Sequence, residues 1–113
     1  MLLISAITAA VSLALTAFWT AVRAFVIAAA EKIKQVLMGA AAEAVTLFVR
    51  RGTDGLKQLA CNYINQGGHY LEKIVTKRVE ESDLPSDIKS RVNNSYGREV
   101  DITNDFQREL QLS

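Results

Sequence analysis

The chain opens on an apolar run. No charged side chain occurs in residues 2–22, and Arg23 is the only one as far as Ala30. A hydrocarbon core about 30 Å thick takes about 20 predominantly apolar residues in a helix, so residues 2–22 meet that length without Arg23. Leu2, Leu3, Ile4, Ile7, Val11, Leu13, Leu15, Phe18 and Val22 together favour the bilayer centre by roughly 4 kcal/mol. Ser5, Thr8, Ser12, Thr16 and Thr20 return part of that. Arg23 costs about 2.5–3.5 kcal/mol at mid-bilayer, but at the end of the span its stem reaches the headgroups. Phe18 and Trp19, just before it, stand where an interfacial aromatic belt belongs. The pattern predicts a transmembrane or assembly helix over residues 1–30. The alternative is the same run buried inside protein.

Within the run the alanines are regularly placed. Ala10, Ala14, Ala17, Ala21, Ala24 and Ala28 follow at steps of four and three, a seam of small side chains along which helix backbones approach closely. Self-association follows, with these six as the oligomer interface; the abundance of a good helix former is the plainer explanation. Beyond Ala30 an apolar stripe continues through Ile33, Val36, Leu37, Ala40, Ala41, Ala44, Leu47 and Phe48. With only Gly39 interrupting, residues 31–51 read as an amphipathic continuation of the helix. Glu43 makes a second membrane crossing expensive, and Arg23 and Glu43 stand as the intramembrane or interfacial charges.

Gly52 and Gly55 around Thr53-Asp54 read as a turn. Leu56, Ala60, Tyr63, Gly67, Tyr70 and Ile74 then repeat the four-three rhythm, predicting an antiparallel amphipathic helix over residues 54–81 that offers a face to a partner protein through residues 56–79. Gly67-Gly68 disagrees, because each glycine costs a helix interior about 1 kcal/mol relative to alanine. Residues 82–113 form a polar tail with short helices. In it, Leu84-Pro85-Ser86-Asp87 marks a helix start, Val100 and Ile102 alternate with polar residues, and Asp101 or Thr103 caps a last turn containing Phe106 and Leu110. The fold class expected is all-α.

Charge and chemistry narrow the function. Residues 1–51 carry five basic and two acidic side chains, and residues 52–113 eight and ten, for a net charge of +1. The basic side chains all follow the first apolar run, which places the N-terminus outside and the C-terminus in the cytoplasm. The start lacks the basic region of an export signal, so retention as an anchor is expected. No basic cluster with interleaved aromatics suggests nucleic acid. Cys61 and His69 are the single cysteine and histidine, and on one helix they would stand about 12 Å apart along the axis, too far for proton transfer. Gly67-Gly68-His69 lacks the lysine and the strand of a phosphate loop. Glu80, Glu81, Asp83 and Asp87 match no calcium-loop spacing. No catalytic, cofactor or metal site is expected.

The pattern therefore predicts a small non-enzymatic membrane protein, in contact with lipid and homo-oligomeric, acting in assembly, scaffolding or membrane permeabilisation. The alternative is a soluble or peripheral helical interaction module whose apolar N-terminal helix is buried in a larger complex.

Overall fold

Residues 44–49, Ala-Val-Thr-Leu-Phe-Val, combine β-branched and aromatic side chains in an unbroken run, a strand-forming composition. They lie in β2 (Ala41–Gly52), the strand around which the chain is built. A computed structural model describes residues 1–10, 15–38 and 40–112, the side chains of 111 and 112 excepted. Before β2 come β1 (Leu2–Leu3), α1 (Ile4–Ala9) and α2 (Ala17–Val36); after it come β3 (Gly55–Gln66) and β4 (His69–Arg78). A 3-10 turn at Glu81–Asp83, α3 (Ser86–Asn93), β5 (Glu99–Asp101) and α4 (Thr103–Leu112) complete the chain.

The sheet is antiparallel, ordered β1-β2-β3-β4, with β5 also on β2. Two-residue turns make both long hairpins. Gly52 pairs Gly55 around Thr53-Asp54. Gln66 pairs His69 around Gly67-Gly68, whose φ angles of 60° and 86° fit the turn type that needs positive φ at both central positions.

The helices pack on one sheet face. Val45, Leu47 and Val49 of β2, Leu56 and Ala60 of β3 and Val100 of β5 join Ile7, Phe18, Val22, Val26, Ile88, Val92 and Phe106 in one core. Ile33 closes a second cluster with Ala40 and Ile64. Phe18, Val22, Val26, Ala29 and Ile33 recur at three- and four-residue steps, so α2 buries one stripe. Trp19 stacks on Phe106 with ring centroids 5.9 Å apart and meets Phe18 edge-on at 4.8 Å.

The all-α expectation is overturned. The apolar start is not one helix: Leu2 and Leu3 pair with Val45 and Ala44, and α1 ends at Ala9, followed by Ala10, whose ψ of 122° is extended. No helix among the described residues is long and apolar enough to cross a membrane, and Leu2, Ile7, Phe18, Val22 and Val26 pack in the core over the sheet. The transmembrane and permeabilisation readings fall with it. The alternative, an interaction module whose apolar N-terminal run is buried by protein, fits better, with this chain's own sheet packing against Leu2, Ile7, Phe18, Val22 and Val26. Residues 31–51 divide into the end of α2 and β2, and residues 54–81 form the β3–β4 hairpin, where the two glycines turn the chain between strands.

The outer edge of β2 is closed group by group. Gly97 N–H donates to the Arg51 carbonyl at 2.8 Å, Val100 pairs with Val49, and Ile102 N–H donates to the Leu47 carbonyl at 2.9 Å. Leu47 N–H donates to Thr103 Oγ1 at 2.9 Å, and Thr103 is only 2 % exposed. Asp101 Oδ1 accepts from Thr103 N–H at 2.8 Å, holding the start of α4 on the strand. Replacing Thr103 with valine keeps the shape but orphans the Leu47 amide. Urea unfolding of Thr103→Val is therefore expected to show a loss of about 1–3 kcal/mol, and an unchanged midpoint would show that this bond does not hold the edge.

Candidate interaction surface

In an antiparallel ladder, alternate residues direct their N–H and C=O groups to the same neighbour. On β4 the phase is fixed at both ends. Gln66 and His69 flank the two-residue turn, and Val79 N–H donates to the Leu56 carbonyl at 3.1 Å. Leu71, Lys73, Val75 and Lys77 therefore bond to β3, whereas Tyr70, Glu72, Ile74, Thr76 and Arg78 direct their backbone groups outward. β4 ends the strand order, so among the described residues no strand takes these bonds.

Side chains on β4 are as bare as its edge. Every residue of the strand except Val75 is exposed, because α2 lies over β2 and β3. Tyr70, Leu71 and Ile74 are 71, 43 and 58 % exposed, large apolar surface for an edge strand. Between α2 and β4 runs a groove of about 280 Å³, walled by Ala29, Lys32, Ile33 and Val36 on one side and Lys73, Ile74, Val75 and Thr76 on the other.

The sheet face away from the helices carries Phe48, Leu59, Cys61 and Tyr63. Register sets Phe48, Leu59 and Thr76 in one line across the strands and Thr46, Cys61 and Ile74 in the next. Arg50, Lys57 and Arg78 form a cationic line beside them. At its turn, the Asp54 carboxyl is held below the usual range by the hydrogen bond from Lys57.

Comparison with protein-family models, with curated proteins and with solved structures finds no match.

The residues singled out by sequence are scattered. Ala17, Ala21, Ala24 and Ala28 lie exposed on α2, beside the buried stripe; Ala10 follows α1, and Ala14 falls outside the described residues, as does Gly39. Arg23 is no membrane charge. Its guanidinium donates to the carbonyls of Ile7 at 3.2 Å, Thr8 at 3.3 Å and Ala10 at 3.0 Å, closing the C-terminal end of α1. Glu43 accepts from Asn65 Nδ2 at 3.4 Å across the irregularity between Ala42 and Ala44. Phe18 and Trp19 are core residues, not an interfacial belt.

Cys61 and His69 share the hairpin but not a face: Cys61 lies opposite Ile74, and His69 projects to the other side. Glu81 pairs with Arg51 at 3.1 Å. Among the described residues no three His, Cys, Asp or Glu side chains converge on a metal position. Helical periodicity missed the surface that does stand out, β4, although residues 56–79 contain it. The available signal was Gly67-Gly68 between two apolar segments, a hairpin mark.

The backbone phase is directly measurable. In dilute protein the amides of Tyr70, Glu72, Ile74 and Thr76 are expected to exchange at near-solvent rates, and those of Leu71, Lys73, Val75 and Lys77 roughly 100-fold slower. Protection of the even-numbered set instead would overturn the register.

Proposed function

We propose that this chain is a non-enzymatic interaction module that captures an extended segment of a protein along β4. Carrying this reading is a single contrast: the outer edge of β2 is held by β1, β5 and the start of α4, while among the described residues a ten-residue strand at the other edge keeps its outward backbone groups unpaired by any strand and all its side chains but Val75 exposed. Strand addition draws affinity from main-chain bonds and specificity from pockets for alternate side chains. Here the outward backbone belongs to Tyr70, Glu72, Ile74, Thr76 and Arg78. The groove beside α2 supplies an apolar wall at Ile33, Val36 and Val75, flanked by Lys32 and Lys73, so the preferred segment turns apolar side chains toward it. An edge strand commonly carries lysine as protection from pairing; Lys73 and Lys77 project to the helix side and leave Tyr70 and Ile74 uncovered on the other.

A proline on β4 separates docking from folding. Thr76 N–H points away from β3, so Thr76→Pro removes no bond of the isolated fold, as expected of a proline on an edge strand. Extended peptides selected from a random displayed library on the wild-type chain are expected to lose at least tenfold in affinity for Thr76→Pro, with the melting temperature within a few degrees of wild type. Peptides that bind both forms equally would refute strand addition at β4.

A further inference from the structure

Building on this reading, we infer that the segment best matched to β4 is β4 of a second copy, paired antiparallel about a two-fold axis through Ile74. A two-fold normal to the sheet keeps the helices of both copies on one side, so opposite residues share a face and their numbers sum to an even value. Charge then selects among the registers. A sum of 144 sets Glu72 against itself; 146 does so for Lys73; 150 sets Lys73 opposite Lys77 twice. Like charges directly opposite are destabilising.

A sum of 148 has none of these conflicts. Ile74 meets Ile74, Glu72 meets Thr76, Tyr70 meets Arg78, Lys73 meets Val75 and Leu71 meets Lys77. The Tyr70 ring thus gains a guanidinium neighbour, and Glu72 lies on a diagonal from Arg78 of the other copy. The lysines of the two copies fall on diagonals on the helix side, about 7–8 Å apart, where solvent screens much of their repulsion. The register also uses the outward backbone groups: Tyr70, Glu72, Ile74, Thr76 and Arg78 all become hydrogen-bonded pairs. The strands β1-β2-β3-β4 of one copy then run on into β4-β3-β2-β1 of the other, and the two α2 grooves face each other across the paired edges.

Sedimentation of the reduced native chain at rising concentration is expected to show a monomer passing to a dimer, with the Tyr70, Glu72, Ile74 and Thr76 amides becoming protected together. Register is read by single cysteines at positions 72 to 76 in a Cys61→Ser background, which removes the thiol opposite Ile74. Directly opposite residues of a hydrogen-bonded pair have Cα atoms about 5.5 Å apart, inside disulfide range. Mild oxidation is expected to cross-link Ile74→Cys and to leave Glu72→Cys, Lys73→Cys, Val75→Cys and Thr76→Cys largely monomeric.

Cross-linking that peaks at Lys73→Cys or Val75→Cys would overturn this register. A chain that sediments as a monomer at every concentration, with β4 amides unprotected, would overturn the second copy as partner. Should such a chain still bind selected peptides in a Thr76-dependent way, strand addition stands and only the self-pairing is lost.

Discussion

β2 is the constraint on which the rest depends. Its even-numbered backbone groups bond to β3, and its odd-numbered ones meet β1, β5 and the first residue of α4. Its helix-side stripe, Val45, Leu47 and Val49, is the floor of the main core. Segments from both ends of the chain are thereby tied to one strand. Burying Leu2 beside Val45 and Phe106 under Trp19 are two consequences of one pairing scheme, because every helix reaches the core across this floor.

Closure on one side leaves the other side open. α2 is centred over β2 and β3, and its buried stripe ends at Ile33 against Ile64. Among the described residues, β4 therefore receives neither a helix above it nor a strand beside it. Its stability as a strand comes from ladder bonds to β3 and from the turn at Gly67-Gly68, while its apolar side chains face solvent. The same geometry that completes the fold leaves this edge uncovered by the described residues.

Two buried polar side chains explain part of the misleading pattern. Gln58 and Asn62 lie on the helix side of β3, at 2 and 0 % exposure, between Leu56, Ala60 and Ile64. Asn62 Nδ2 donates to the Ala60 and Lys73 carbonyls at 3.1 and 3.2 Å, so its amide is tied to the hairpin backbone. On the opposite face Leu59, Cys61 and Tyr63 are apolar or amphipathic. With polar residues on the helix face and apolar ones on the far face, two-residue alternation is weak along β3, and residues at three- and four-step spacing imitate a helix.

Several local features were legible from residues alone. They include the turn at residues 52–55, the start of α3 beside Pro85, the extended residues around Val100 and a capping residue at Asp101 or Thr103 ahead of Phe106. Each depends on contacts within a few positions, where backbone preference and side-chain spacing act directly. Whether the apolar opening meets lipid or protein was not legible, because both reward the same side chains and only the distant run 44–49 supplies the competing surface. Nor was the bare edge of β4. An edge exists only once strand order is settled, and that order is decided by which backbone groups find partners across the whole chain.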